Sequence, residues 1–267
     1  MELLKQPYTE GRRIATAKLI DELSLGASIA PPHVVTATEI RRFLLASRGG
    51  VFLDSMQELI WTKVGYVLGN LYPSVNYPSP AEELRLQTAF FDYLWEQPLT
   101  RLIDMIGHAP MPDDEFERLS EETNRQNPHY AHELKSFEGT CDVELRGAIE
   151  VAGEIAVDVI TKIAQSEGGL EAVPTAGERA DVVNMSRNLL YFAMKKPEHR
   201  AMLRSMHIQA SLHASMRWDK QRKFRPNDYY DFEHATAALG YCDLFLTEGP
   251  LHVMVKRPQV NLQRLQG

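Results

Sequence analysis

Two aspartates one helical turn apart, near the C-terminus, are the residues of this chain best placed to do chemistry. Asp228 and Asp231 open the segment 227–240, which ends in a glycine. The spacing i, i+3 puts both carboxylates on one side of a predicted helix, and Asn227 or Asp228 can cap its first turn. Carboxylate oxygens are the ligands that Mg²⁺ and Mn²⁺ prefer. The pair therefore predicts a divalent-metal site, with simple helix capping as the alternative, since acids are enriched at helix starts.

A basic segment, residues 217–225, lies directly before the two aspartates. It contains one acid, two aromatic residues and five basic residues, namely Arg217, Lys220, Arg222, Lys223 and Arg225. Basic side chains can hold phosphates while Trp218 or Phe224 stacks on a base. Because the whole chain has a formal charge of −7, we expect a nucleic-acid-binding surface to be local. The alternative is a solvated run of charges around two core aromatics.

Composition narrows the class of protein without identifying its function. The chain has 267 residues, of which 44% are hydrophobic and 24% are charged, as in an ordinary globular protein of one or two domains. Cys141 and Cys242 lack the spacing of metal ligands or of a disulfide framework, which favours a cytoplasmic location. No apolar run approaches the roughly 20 residues of a membrane span, so no membrane association is expected. The usual motifs of P-loop, dinucleotide-binding, serine-hydrolase and zinc-protease sites do not occur.

Helices are predicted for most of the chain from three-four apolar spacing and from capping signals. Ser79 with Glu82 and Thr175 with Glu178 form capping boxes at two helix starts. Predicted helices cover about 9–25, 36–46, 55–68, 80–97, 99–106, 129–165 and 175–194. Short strands are predicted at 27–30, 51–53 and 244–246, and the acidic stretch 110–127 is predicted to be a solvated connection.

The C-terminal segment resembles a known family. Residues 231–239, followed by 244–249, resemble the closing half of a PIN-domain nuclease, where an Asp-led helix precedes an apolar strand that ends in Thr-x-Asp or a near variant. The stretch from about 207 to 255 is similar to uncharacterised bacterial PIN-like proteins, with their basic segment, Asn-Asp-x-x-Asp-Phe-x-His helix and Tyr-Cys-Asp strand. The resemblance extends more faintly through 17–26, 131–138 and 144–147.

That resemblance implies a nuclease that hydrolyses phosphodiester bonds, RNA above all, with Mg²⁺ or Mn²⁺ as the cofactor. Asp231 matches the aspartate that opens the family's penultimate helix, and Asp228 is its neighbour in the site. Glu248 lies near the place of the family's final aspartate, and Asp243 is the competing candidate. His234, one turn after Asp231, is predicted to orient a carboxylate or to contact a phosphate.

The implied fold is α/β and helix-dominated, with a small parallel sheet at its centre. Residues 1–54 and 205–267 would form the PIN-like core, and residues 55–204 a large helical insertion. The family's first strand ends in an aspartate, whereas this chain opens in an apparently helical segment. We therefore expect Glu2 to be the second acid, with the first strand missing before it and one more strand missing at the C-terminal end. The alternative puts the first acid at Asp54, with Glu58 one turn further along.

Two other functions stay open. A catalytically incomplete PIN-like scaffold would bind a protein partner, or a second copy of itself, through its helical region. An unrelated hydrolase site could be built around three glutamates, Glu133, Glu138 and Glu144. Glu144 lies at the edge of an apolar helical stripe, where a boundary residue that reaches solvent is the simpler interpretation. His207 and His213 are six positions apart, on different faces of a helix, so they do not predict a shared metal site.

Overall fold

The computed structural model describes a protein built almost entirely of helices. The described residues are 11–52, 54–67, 79–106, 115–130, 132, 134–168, 175–220, 222–247, 249–258, 260 and 262. None of the helices in these ranges is long and apolar enough to cross a membrane. The chain divides into a smaller unit, residues 1–31 with 60–113, and a larger unit, residues 32–59 with 114–267.

The elements follow one another along the chain in this order: α1 (Arg12–Ser24), β1 (Ala27–Ile29), α2 (Pro32–Ala46), α3 (Met56–Ile60), β2 (Trp61–Lys63), α4 (Val64–Val67), α5 (Pro80–Glu96), α6 (Leu99–Ile106), α7 (Glu115–Tyr130), α8 (Phe137–Ser166), α9 (Ala176–Met194), α10 (Pro197–Met202), α11 (Arg204–Trp218), α12 (Pro226–Tyr241) and α13 (Gly249–Lys256).

The smaller unit is held by a helix pair and a two-stranded sheet. Strands β1 and β2 pair antiparallel, with Ala27 opposite Lys63. Helix α1 packs on α6 through an apolar cluster that includes Ala17 and Ile103, both fully buried. The carboxylate of Asp21 accepts hydrogen bonds from the backbone amides of Leu99 (2.7 Å) and Thr100 (2.9 Å). A side chain from α1 therefore caps α6, whose first amides have no partner within their own helix.

The larger unit is organised around the long helix α8, which packs against α2, α9 and α11. One apolar cluster joins α2, α8 and α9 through residues such as Phe43, Ile149 and Leu190. A second cluster joins α11, α12 and α13 through residues such as Leu212 and Phe232. These two clusters fix the positions of α11 and α12, which carry most of the candidate functional residues.

A buried carboxylate ties three helices of this unit together. Glu39 of α2 is fully buried and accepts hydrogen bonds from the amide (3.0 Å) and hydroxyl (2.8 Å) of Ser205, at the start of α11. It also accepts a hydrogen bond from the hydroxyl of Tyr241, at the end of α12. Burial raises the pKa of Glu39 to about 7, although these hydrogen bonds and the charge of Arg204 act in the opposite direction. Burial and the neighbouring Glu39 also raise the pKa of Tyr241, which therefore remains a donor.

The predicted parallel sheet is wrong. In the described part of the chain the only sheet is the antiparallel pair β1–β2, so there is no parallel PIN-like core in these residues. The predicted strand 244–246 is not a strand: Leu244 and Leu246 are 72% and 83% exposed, and only Phe245 packs on the core. A buried strand needs a neighbour that satisfies its backbone amides and carbonyls, and none is placed beside this segment in the described ranges.

Local sequence signals, such as helix caps, predicted secondary structure more reliably than the family resemblance predicted the sheet. The strand at 27–30 is confirmed as β1, although its partner β2 lies within the predicted helix 55–68. The helix starts at Ser79 and Thr175 are confirmed, since each hydroxyl accepts from the amide of the third residue of its helix, and the full capping box is formed at Thr175. The stretch 110–127 was predicted to be a connection, but α7 occupies most of it. Contacts from a distant segment stabilise α7, since the Asn124 side chain bonds both backbone groups of Phe224 (2.7 and 2.9 Å).

Replacing Glu39 by Gln should remove a pH dependence of stability. An unfolded carboxyl titrates near pH 4.5, whereas folded Glu39 titrates near 7. Between these values the folded state keeps a proton that the unfolded state has lost, so its stability falls as the pH rises. The shift corresponds to about 3 kcal/mol. We expect the free energy of unfolding of Glu39→Gln, minus that of the parent, to increase by about this amount between pH 4 and pH 8.

Urea unfolding followed by circular dichroism measures that difference at each pH. The pKa values of His207 and His213 are lowered to about 4, mainly by burial, and these groups make stability rise with pH. Because both proteins share them, their contribution cancels in the difference. A difference that stays constant with pH would contradict the role of Glu39.

Candidate functional site

The predicted acidic pair and part of the basic segment line the same cleft. Two adjoining cavities, of about 560 and 470 Å³, share Arg222, Arg225, Asp228 and Pro250 in their walls. We call them together the α12 cleft, because they surround the first turn of α12. The cleft thus brings positive side chains and carboxylates to the positive end of a helix.

Asp228 holds the start of α12 in place. One carboxylate oxygen accepts from the backbone amide of Arg225 (2.8 Å), and the other accepts from a guanidinium nitrogen of Arg222 (3.0 Å). The residue is only 8% exposed. Asp228 is therefore both a helix cap and the partner that orients Arg222, so the capping interpretation applies to this member of the pair.

The remaining charges of the cleft are more open to solvent. Lys223 and Arg225 are exposed and line its walls. Asp231, one turn beyond Asp228 on the same helix, is half-buried and lines the second cavity. Three basic groups and two carboxylates thus meet here, with the balance in favour of an anionic ligand.

Other predicted site residues lie elsewhere or cannot be placed. Lys220 is exposed just after α11, His234 is exposed on α12, and Asp243 is exposed beyond the end of α12. Glu2 and Glu248 lie outside the described residues. Within the described ranges, no group of three or more His, Cys, Asp and Glu side chains could hold a metal ion by itself.

The alternative acids at the N-terminal end have local roles. Asp54 is exposed, and its backbone carbonyl accepts from the guanidinium of Arg42 (2.6 Å). Glu58 accepts from the amide of Ser55 (2.6 Å), whose hydroxyl accepts from the amide of Glu58 in return (3.2 Å). Neither acid lines the α12 cleft.

Arg217 belongs to a second site, which we call the central cavity. This space of about 580 Å³ is lined by residues of α7, α8 and α11, by Thr36 of α2, by Phe224 and by the start of α12. Arg217 donates to a carboxylate oxygen of Glu144 on α8. Both side chains are largely buried, at 13% and 14% exposure. Of the three glutamates proposed for an alternative site, Glu144 thus faces a cavity, whereas Glu133 lies outside the described residues.

Burial dominates the electrostatics of the central cavity. It raises the pKa of Glu144 even though the charge and hydrogen bond of Arg217 lower it. It also lowers the pKa of His213 to about 4, with Arg217 acting in the same direction, so this imidazole is neutral at neutral pH. The ring of His213 lies against Phe224 (5.7 Å between centroids) and Phe232 (5.1 Å).

Sequence reasoning missed His213 as a cavity residue, because it tested the histidines only as metal ligands. A usable signal was present on the same helix. Gln209, His213 and Arg217 follow one another at intervals of four, which puts three polar groups on one face of α11. All three line the central cavity.

No protein-family model, no curated protein and no solved structure matches this chain. The resemblance to PIN-domain nucleases therefore remains an expectation drawn from the short motif around Asp231.

Replacing Asp228 by Ala should destabilise the protein, because the start of α12 loses its cap and Arg222 loses its partner. Removal of a helix cap costs about 1–2 kcal/mol. We expect a decrease of that size in the free energy of unfolding, measured by urea titration. The control is Asp243→Ala, an exposed acid near the other end of the helix, for which a change within about 0.5 kcal/mol is expected. Equal effects of the two substitutions would contradict the capping role.

Proposed function

We propose that this protein is a metal-dependent nuclease that acts on RNA and that the α12 cleft is its site. One observation carries the proposal: Arg222 and Arg225, predicted to contact phosphates, line both cavities of the cleft together with Asp228, while Lys223 lines the first cavity and Asp231 the second. A nuclease needs this combination, since cations must hold the phosphate where carboxylates and a metal ion can reach it.

In this proposal the basic residues bind the nucleic acid backbone. Lys223 and Arg225 are exposed and can follow a phosphate chain. Arg222 is held by Asp228, so its planar guanidinium is already oriented before a phosphate arrives, and less side-chain entropy is lost on binding.

Asp231 is the residue proposed to hold the metal ion. Mg²⁺ usually keeps several waters and binds proteins through one or two carboxylates together with substrate phosphates. Asp231 lines the second cavity of the cleft, so we propose its carboxylate as the protein ligand; both oxygens of Asp228 hold the start of α12 through Arg222 and Arg225. Glu248, two positions before the cleft residue Pro250 in the sequence, stays our predicted counterpart of the family's final aspartate. A bound ion would supply Lewis-acid activation of the phosphodiester.

We place this activity in the cytoplasm. Cys141 and Cys242 are not joined in a disulfide, as is usual for proteins of a reducing compartment.

Two variants separate RNA binding from RNA cleavage. Asp231→Asn should bind a labelled single-stranded RNA as the parent does but should not cleave it with Mg²⁺ or Mn²⁺, because the variant keeps the shape and loses the charge. Lys223→Gln/Arg225→Gln should bind more weakly. The slope of log affinity against log salt should become shallower by about 1.4, since each phosphate contact to a single strand contributes roughly 0.7.

The matched control is Lys162→Gln/Lys196→Gln, which removes the same charge from two exposed lysines that do not line the cleft. Cleavage by the parent should stop in EDTA. Cleavage that survives in Asp231→Asn would overturn the assignment of Asp231. A control variant that loses as much RNA binding as the cleft variant would mean that the overall charge, not the cleft, binds RNA.

A second candidate function, binding of a protein partner, is favoured by a stripe of exposed apolar side chains on α9. Met185, Leu189 and Phe192 are 57%, 42% and 67% exposed. Their spacing i, i+4, i+7 puts them on one helix face. Contiguous exposed apolar surface of this kind is typical of interaction sites. A stripe on one helix can pair with its own copy about a two-fold axis, so we propose a homodimer as the partner state.

Replacing Phe192 by Ser should weaken that dimer. Loss of a large aromatic anchor from an interface raises the dissociation constant by about tenfold or more. Sedimentation equilibrium over a range of protein concentrations measures this constant. Val253→Ser, which removes an apolar side chain of α13 that is 56% exposed, is the control and should leave it unchanged. A parent protein that is monomeric at all concentrations would exclude the homodimer.

A further inference from the structure

The two cavities of the α12 cleft differ in chemistry. The first is lined almost entirely by charged side chains, three of them basic. The second shares part of its wall with the first, but most of the residues that line only the second are apolar, namely Pro226, Phe232, Leu251 and Met254. The cleft therefore combines a compartment for an anionic group with an adjoining compartment for an apolar one.

The second cavity has the size and the walls of a small-molecule site. Its volume of about 470 Å³ lies within the range of roughly 300–1,000 Å³ that is usual for such sites. Phe232 and Met254 belong to the buried core cluster, whereas Pro226 and Pro250 are more open to solvent. The two proline rings therefore offer apolar surface that an entering planar group can cover.

The aromatic residues of the basic segment do not supply this surface. Phe224, predicted to stack on a base, is only 3% exposed and lines the central cavity. Trp218, the other candidate, packs edge-on against Phe137 of α8, with 6.3 Å between ring centroids, and lines neither cavity of the cleft. A base whose phosphate lies in the cleft therefore has its nearest apolar surface in the second cavity.

One uncharged polar side chain lines the second cavity. Asn227 is exposed and lies in the first turn of α12, whose N-cap is Arg225, so its amide is not needed as the cap. An amide presents a donor and an acceptor side by side, and the edge of a nucleobase carries the same pair of groups. An aliphatic ligand would displace water from this amide without replacing its hydrogen bonds. The lining therefore favours a base over a hydrocarbon tail.

We propose that the second cavity binds one unpaired nucleobase of the RNA while its phosphate lies in the first cavity. The base lies against Pro226 and Pro250, Asn227 hydrogen-bonds its edge, and Lys223 and Arg225 hold the phosphate. A base within a duplex would first have to leave the stack, at a cost in free energy, so the site selects single-stranded RNA. This inference rests on the proposed function for its ligand and adds the group that binds the base.

Calorimetric titration of the full-length protein in metal-free buffer tests the proposal with four nucleoside 5′-monophosphates and ribose 5-phosphate. The nucleotide that binds best should bind at least tenfold more tightly than ribose 5-phosphate, which has the same sugar and phosphate but no base. A tenfold gain requires burial of only about 55 Å² of apolar surface, at about 25 cal/mol per Å². Equal affinities of ribose 5-phosphate and all four nucleotides would overturn the base site, as would failure of every nucleotide to bind.

Asn227→Ala separates recognition of the base from binding of the phosphate. It should bind the best nucleotide about fivefold more weakly, since hydrogen bonds to the base are lost, and should bind ribose 5-phosphate like the parent. The matched control is Gln209→Ala, which removes an exposed amide that lines the central cavity and should change neither affinity. Lys223→Gln/Arg225→Gln should weaken both ligands by the same factor. Unchanged nucleotide binding by Asn227→Ala would overturn the role of Asn227.

The outcomes for this site and for the proposed nuclease are separable. Asp231→Asn should keep the selectivity of the parent for nucleotides, since other residues hold the base and the phosphate. A protein that selects nucleotides over ribose 5-phosphate but cleaves no RNA with Mg²⁺ or Mn²⁺ would keep the base site and exclude the nuclease. A protein that cleaves RNA without this selectivity would keep the nuclease and exclude the base site.

Discussion

The larger unit depends on one buried carboxylate. Glu39 accepts hydrogen bonds from the start of α11 and from the end of α12, and it does so from a position with no exposure to solvent. An unpartnered carboxylate there would be strongly destabilising. The hydrogen bonds of Glu39 therefore add a directional constraint to the apolar clusters that pack the three helices together. Both candidate sites lie on helices that this group positions.

Three buried carboxylates of this unit are accommodated in three different ways. Glu39 is surrounded by neutral donors and has its pKa raised to about 7. Glu144 is paired with a guanidinium, which opposes the increase in its pKa that burial causes. Asp228 uses a backbone amide and a guanidinium together. Among the described residues of these three arrangements, only the second leaves a buried donor, the Nε of Arg217, without a hydrogen-bond partner.

The segment between α11 and α12 connects the two sites. Phe224 and Tyr229 line the central cavity, whereas Arg222, Arg225 and Asp228 line the α12 cleft. The side chain of Asn124 on α7 holds the backbone of this segment through both groups of Phe224. Since the two sets of side chains alternate along a few residues, a displacement of this backbone would alter the cavity and the cleft together.

The sequence by itself determined the local structure. Helix caps and three-four spacing act over about four residues, so the starts at Ser79 and Thr175 and the strand at 27–30 could be recognised directly. The sequence also determined that the basic segment lies close to Asp231, because the two are neighbours in the chain.

Only the tertiary structure decided that residues 244–246 form no strand, since strand formation requires a pairing partner. The tertiary structure also gave Arg217 a partner 73 positions away, and Glu39 partners 166 and 202 positions away. Such long-range contacts depend on how the helices pack, and no local pattern in the sequence encodes that packing.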